Sequence, residues 1–550
     1  MGTREGAQGI GRHTRTVAGI TLVSRVLGLA RDLVTVRVFG DTLVGSAFAA
    51  AFAVPNMFRR LFGEGALSAA FLPVYTRLSD DEPERAGALA SLTVAALGLV
   101  TSAILLIIEL ALLLVIVLAP GQEGSDRVYS LALVMLMLPF MPLICVAAVM
   151  GGMLQTHGRF APWAAAPILM NILVIAVSAP FFFVQDASPR RWAVYIGIAT
   201  LVSGMLQVLW SLRVLRGLVR WSRLWSSVRA EARTMFAAML PVLVGLGTLQ
   251  LNAMADTLIA MYPNWIGTTL LGRDYPLDES SNAVLFYAQR LYQFPLGVFG
   301  IAVATAAFPA LSRASGDAHA FGLVVRRGAR MSLFVAMPAS VGLAVVAPDL
   351  VRLLYGHGGF SERGVDRATW VLVAYALAVW AYSLNQLLTR AFYARGDTST
   401  PMRIAIAMVG VNLALNLMLI WPMRETGLAA STALCAAIQC ALLIRALGAG
   451  VLDRSVSRAA ARMAMLSAAV GFAAWGAIRG IDAAGWAGAG VPGDAARVGA
   501  GVLGGAGVYL GLCWGFGTPE LWWIAARSTD TDHDAGDPED PATRRTEHHG

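Results

Sequence analysis

Fourteen apolar runs, each near bilayer length, dominate the 550-residue chain. They lie at about 17–39, 43–70, 88–119, 128–154, 162–184, 192–212, 234–262, 282–311, 328–348, 368–394, 402–422, 426–449, 460–480 and 496–517. A helix needs roughly 20 apolar residues to cross the hydrocarbon, whereas a membrane-spanning strand needs only about 9–11. Inside lipid the backbone must satisfy its own polar groups, so runs of this length predict helices. The expected fold class is an all-α polytopic membrane protein of about 14 transmembrane helices. Composition agrees: 57% of residues are hydrophobic and 14% charged, against roughly 25% charged in soluble domains.

The formal charge of +8 and the sequence pI of 9.6 point to basic loops rather than to nucleic acid. All 42 basic residues are Arg and none is Lys, so position, not the choice of Arg over Lys, carries information. The loop after the sixth run holds Arg213, Arg216, Arg220, Arg223, Arg229 and Arg233. The loops after the eighth and twelfth runs are also basic, and the odd-numbered loops are nearly balanced. The positive-inside rule then places both termini in the cytoplasm. Residues 1–16 form a cytoplasmic segment with no A-x-A cleavage site. The 213–233 segment, basic and holding Trp221 and Trp225, reads as an amphipathic cytoplasmic linker helix on the membrane surface; a plain linker is the alternative. Residues 524–550 are polar and rich in Asp, and predict a disordered cytoplasmic tail.

An internal repeat divides the chain. LFGEGALSAAFLP (61–73) aligns with VFGIAVATAAFP (298–309), and QTHGRFAPWAAAPILMN (155–171) with YARGDTSTPMRIAIAMVGVN (393–412). Both offsets are about 240 residues, or six spans. Six is even, so the two lobes are parallel repeats about an axis along the membrane normal. The expected organisation is an N-lobe at 17–212, the linker, a C-lobe at 234–449, and two additional spans within 450–523.

Charges inside the apolar runs mark the candidate site. The first run carries Arg25, Arg31, Asp32 and Arg37, the second Arg59, Arg60 and Glu64, and the eighth Arg290. A charged side chain in hydrocarbon costs a few kcal/mol or more, so such residues face protein or a wet cavity. Arg37 lies near the outer end and can snorkel. Arg25 and Asp32 share a helix face seven residues apart, with Arg31 well off it. Adjacent Arg59 and Arg60 cannot share one face, and Pro55 kinks the helix just before them. Guanidinium forks suit phosphate oxygens, so the target is a phosphorylated amphiphile or a nucleotide-like anion.

Asp256 in the seventh run, Asn412 and Asn416 one turn apart in the eleventh, and Thr432 in the twelfth offer oxygens for a sodium ion, the one cofactor the sequence points to. Plain interhelical hydrogen bonding, with Asp256 paired elsewhere, is the alternative and the favoured one of the two. Cys145, Cys435, Cys440 and Cys513 sit in apolar runs without metal spacing, and Glu109 receives no role. The loops hold no cluster of nucleophile, base and carboxylates, so the chain is expected not to be an enzyme.

SRVLGLARD, AFAVPNMFRRLFGEGALSAAFLPVY, YAQRLYQFPLGVFGIAVATAAFPALSR and FYARGDTSTP together resemble the MurJ/MviN lipid II flippase family of the multidrug/oligosaccharidyl-lipid/polysaccharide exporter superfamily. The likeness runs from about residue 14 to 520. It implies two lobes around a central cavity, alternating access, export of the lipid-linked peptidoglycan precursor across the bacterial plasma membrane, and a groove for the polyprenyl tail on the last two spans. The family's cavity arginines fall on Arg25, Arg31, Arg59 and Arg290. Ser46 stands where relatives often have Asp, Gln289 replaces an acidic residue before Arg290, and Asn416 stands where a carboxylate can occur. Those departures leave membrane potential as an alternative drive to sodium, and put Asp32, Glu64 and Ser46 forward as gating or ion-pairing positions. Lipid II and membrane lipids are the expected partners, together with cell-wall synthesis or division machinery. The other readings are an exporter of a different polyprenyl-linked saccharide or a cationic drug, an intramembrane enzyme on polyprenyl phosphates, and a transport-inactive scaffold.

Overall fold

The computed structural model describes residues 2–118, 125–184, 187–448, 451–486 and 488–525; most of the expected tail lies outside them. The first half contains α1 (Gly2–Phe39), α2 (Leu43–Phe58), α3 (Leu67–Asp81), α4 (Pro83–Val117), α5 (Asp126–Met137), α6 (Phe140–Thr156), α7 (Phe160–Ser178) and α8 (Pro189–Leu215). The second holds α9 (Arg229–Trp265), α10 (Ser281–Pro295), α11 (Ile301–Arg313), α12 (Ala318–Tyr355), α13 (Glu362–Ala376), α14 (Val379–Ala394), α15 (Ser399–Met423) and α16 (Glu425–Leu447). α17 (Arg454–Ile481), α18 (Val491–Gly515) and the short α19 (Pro519–Ala525) follow. Among the described residues the only strands are β1 (Thr269–Leu270) and β2 (Arg273–Asp274), an antiparallel hairpin between α9 and α10.

Nine described helical stretches are long and apolar enough to cross a membrane, or ten if the α13–α14 pair, bent by 40°, is one span. This is a multi-pass, all-α membrane protein, as expected, and nine or ten of the expected fourteen spans are identified among the described residues. α1 is less apolar than these, since its second half carries Arg25, Arg31, Asp32 and Arg37. α2, α3, α10 and α11 have 16, 15, 15 and 13 residues, each short because of a break. Lipid-facing stretches such as α4 leave Leu99, Leu106, Ile107 and Leu110 uncovered, as a helix bathed in hydrocarbon does.

Both breaks are π-helical. α2 runs through a π segment at Arg59–Ala66 into α3, and α10 through another at Leu296–Gly300 into α11. A proline precedes each, Pro55 and Pro295, and removes one donor from the helical ladder. The second repeat cue has a structural counterpart too. Gly158 at the α6–α7 turn and Gly396 at the α14–α15 turn have φ of 70° and 74°, left-handed values that glycine adopts at no steric cost. Asn171 and Asn412 are then buried at matching places in α7 and α15.

Separate apolar cores hold the halves. One gathers Phe71, Tyr75, Leu89 and Met153; another gathers Tyr287, Tyr355, Leu372 and, from α1, Val36. α1 therefore inserts its end into the core of the second half. There the halves close tightly: the Gly359 amide donates to the Arg37 carbonyl at 3.2 Å, and a Cβ on Gly40 would lie 1.7 Å from the Gly359 carbonyl oxygen. The exposed Arg37 rests its stem on Gly358 at this rim. α17 and α18 pack on each other and on α12.

The 213–233 segment is not a surface helix. α8 continues to Leu215, Gly217 turns with φ of 84°, and a 3-10 turn at Trp225–Val228 leads into α9. The extended stretch is held against α4, where Ser91 Oγ donates to the Ser222 carbonyl and Arg85 donates to the Ser227 carbonyl at 3.1 Å. These bonds give the backbone carbonyls partners that a free amphipathic helix would supply internally.

Candidate functional site

Arg31 begins the site. Its side chain folds back on Asp32, with Nη2 to Oδ1 at 2.7 Å and Nε to the same oxygen at 3.1 Å. Its Nη1 donates to Asn171 Oδ1 on α7 at 3.1 Å, and its guanidinium lies 5.2 Å from the Phe52 ring centre. The other oxygen of Asp32 faces Arg290 Nε at 3.6 Å. Asp32 thus joins Arg31 from the first half to Arg290 from the second, and the face shared with Arg25 does not lead to a pair between Arg25 and Asp32. Arg290 stacks 4.7 Å over Phe286, one turn earlier on α10. Arg59 Nε donates to Asn56 Oδ1 at 3.1 Å.

These side chains converge. Arg25, Arg31, Arg59, Arg60 and Arg290 all line one cavity of about 330 Å³, walled by α1, α2, α6, α7 and α8 of the first half, with Arg290 reaching it from the second. Adjacent Arg59 and Arg60 both reach it, against the expectation from a regular helix, because they begin the wider π turn. Beyond the cavity they diverge. Arg59 also borders a chamber of about 210 Å³ among α6, α7 and α8, and Arg60 one of about 110 Å³ that holds Asp256, Gln289 and Arg290. Arg25 crosses to the second half: a Cβ on Gly297, in the π segment after α10, would stand 3.2 Å from its Nη1.

Ser46 is not in the cavity. It lies fully buried where the halves meet, its carbonyl accepting from Asn282 Nδ2 at 2.9 Å and its Oγ from the Ala283 amide at 3.0 Å. The side chain of Glu64 lies outside the described residues. Gln207 on α8 was not singled out by sequence reasoning, yet it borders both the cavity and the 210 Å³ chamber. Its signal was present: it is the one amide in an otherwise apolar span.

The four candidate sodium ligands do come together. Asn416 Nδ2 donates to Asp256 Oδ1 at 2.6 Å and to Asn412 Oδ1 at 3.0 Å, and Asn412 Nδ2 faces Thr432 Oγ1 at 3.4 Å. Both asparagines are fully buried. As drawn, this is the interhelical network of the alternative reading, with one oxygen left over: Asn416 Oδ1 is buried without a partner. A carboxylate, two amide oxygens and a hydroxyl fit a hard monovalent cation. No group of three or more His, Cys, Asp or Glu suited to a metal occurs among the described residues.

Fold and site together define a multi-pass membrane protein with an arginine-lined cavity in its first helical half that Arg290 of the second half completes. Comparison with known proteins makes this specific. The sequence model described as lipid II flippase MurJ matches residues 35–486, and the chain belongs to that family. A probable lipid II flippase MurJ of Vibrio cholerae is 32% identical over 472 residues, covering 82% of this chain and 86% of that protein. The lipid II flippase MurJ of Burkholderia cenocepacia is 29% identical over 447 residues, covering 78% and 82%. Among solved structures, a lipid II flippase MurJ in an inward closed conformation superposes with a TM-score of 0.71 at 21% identity, over 92% of this chain and 99% of that one. An inward-facing MATE family transporter of the MOP superfamily gives 0.63 at 14% identity, over 80% and 98%.

Proposed function

We propose that this protein flips lipid II, carrying the undecaprenyl-diphosphate-linked muropeptide from the cytoplasmic to the outer leaflet of a bacterial plasma membrane by alternating access. The observation that carries this reading is the convergence of five arginines from both halves on one cavity. Charge-assisted, bidentate bonds from guanidinium forks are the interactions a diphosphate selects. A cationic drug would instead be repelled. Because Arg290 belongs to one half and Arg25, Arg31, Arg59 and Arg60 to the other, the grip on a diphosphate changes whenever the halves rock.

The protein moves its substrate without breaking a bond. Both termini are cytoplasmic in this reading, as the basic loops require, and the Gly40–Gly359 and Ser46–Asn282 contacts close the outer end. Asp256, Asn412, Asn416 and Thr432 would hold a sodium ion, whose binding would supply energy from its gradient. α17 and α18 would carry the polyprenyl tail, and cell-wall synthesis or division proteins would receive the product.

The test is lipid II exposure on the outer leaflet of cells depleted of this protein, with wild type or Arg290→Ala restored. Wild type restores exposure and the variant, present at normal level in the membrane, does not. Exposure that never falls on depletion, in cells without a second flippase, overturns the assignment.

A further inference from the structure

We propose that the 210 Å³ chamber beside the arginine cavity is a saccharide subsite, with Gln207 and Trp163 recognising the sugar ring attached to the diphosphate; this rests on the flippase reading above. Gln207 is 2% exposed, and its Nε2 is buried with no hydrogen-bond partner among the described residues. A buried amide donor left unmade is a stability cost that a protein keeps only for a reason. It lines the arginine cavity and the chamber together, as do Ser24 and Arg59. A group in the chamber is therefore the immediate neighbour of an anion held at Arg59.

The chamber wall is small and apolar, built from Ala147 and Ala148 of α6 and Ala164 and Pro167 of α7, with Trp163 alongside. The indole is set in place by packing on α6: a Cβ on Gly151 would lie 1.9 Å from its Cδ1. An indole held in place by a glycine, one amide able to donate and accept, and a methyl-lined wall suit an N-acetylated pyranose. Its C–H face packs on the ring, its acetamido methyl meets the alanines, and its carbonyl or hydroxyl takes the Gln207 donor. An isoprenoid chain fits the same wall but leaves that donor unpaired. At about 210 Å³ the chamber is below the roughly 300 Å³ of drug-sized sites, so it takes one ring and not a disaccharide.

The experiment measures binding of undecaprenyl diphosphate, and of the same lipid bearing an N-acetylmuramyl-peptide, to the purified full-length chain. Gln207→Leu, nearly equal in volume, is expected to weaken the sugar-bearing lipid about tenfold and to leave the bare diphosphate lipid unchanged. It is also expected to keep or raise the melting temperature of the ligand-free protein, since it removes an orphan donor. Trp163→Leu shows the same selectivity for the sugar-bearing lipid, whereas Arg59→Ala loses both lipids. Equal weakening of both lipids by Gln207→Leu, no weakening of either, or a lowered melting temperature overturns the subsite. Wild type binding both lipids equally well does the same while sparing the flippase reading; wild type binding neither overturns both.

Discussion

Asp32 shows how much one residue decides in this site. It satisfies Arg31 at 2.7 Å and stands 3.6 Å from Arg290, so it keeps guanidinium groups from two halves close together without substrate. Arg25 and Arg59 reach the same cavity through different surroundings. Arg25→Ala or Arg59→Ala is expected to abolish complementation of a depleted strain while membrane levels stay normal; loss of the folded protein instead would make these arginines structural. Outside the membrane, Asp278 offers a pH readout. Burial alone would raise its pKa, but Arg367 and the bonds from Ser280 outweigh it and bring it down to about 2. Arg367 and Arg424 each lie 2.9 Å from its oxygens. A depressed carboxyl stabilises the fold fully above its unfolded pKa of about 3.9, and that stabilisation is lost as pH falls toward 2. The melting-temperature gap between wild type and Asp278→Asn should therefore be constant above about pH 5 and close between about pH 4 and 2. A gap independent of pH would show that Asp278 contributes through shape alone.

At the scale of elements, α19 matters more than its seven residues imply. Glu520 is fully buried and joins Arg330 of α12 to Arg462 of α17, each at 2.7 Å. Trp523 lies 4.8 Å from the guanidinium groups of Arg327 and Arg330. This short helix straps the last two spans to the second half. Glu520→Gln removes the charge and leaves two arginines facing a neutral amide, which should cost about 1–3 kcal/mol, read as a lower melting temperature. Truncation from Ser528 onward retains α19 and should leave flipping intact. A dead truncation would assign the tail a role that its composition does not predict.

For the whole molecule, the proposed alternating access would require the contact between Gly40 and Gly359 to open. The halves meet there through backbone and small side chains: Gly40 against Gly359, Ser46 with Asn282 and Ala283, and Asp41 Oδ1 accepting from the Ser361 amide at 2.6 Å. Asp41→Cys combined with Ser361→Cys, at the exposed edge of this contact, bridged by a short thiol-reactive linker that reductant cleaves, should abolish lipid II export and recover it on reduction. The four native cysteines are all buried and give little background. Export that continues in the bridged protein would rule out opening at this end.

Much of this was legible along the chain, and the boundary is physical. Hydrocarbon imposes a length and an apolar composition on each span, and cytoplasmic loops hold arginine, so fold class, family and the charged stretches could be read locally. The aligned stretches 61–73 and 298–309 and the glycines at the α6–α7 and α14–α15 turns made the repeat visible for the same reason, since each cue is carried by residues adjacent in the chain. Which charges meet could not be read that way. Pairing Asp32 with Arg31 and Arg290 instead of Arg25, bringing both Arg59 and Arg60 to one cavity, and replacing the expected linker helix with an extended stretch bonded to α4 depend on partners as far as 258 residues away in sequence. Gln207 is the clearest case. Its sequence shows one amide in an apolar span, and only the packing of α6, α7 and α8 determines that its donor is buried without a partner, because satisfaction of a polar group is a property of everything that surrounds it.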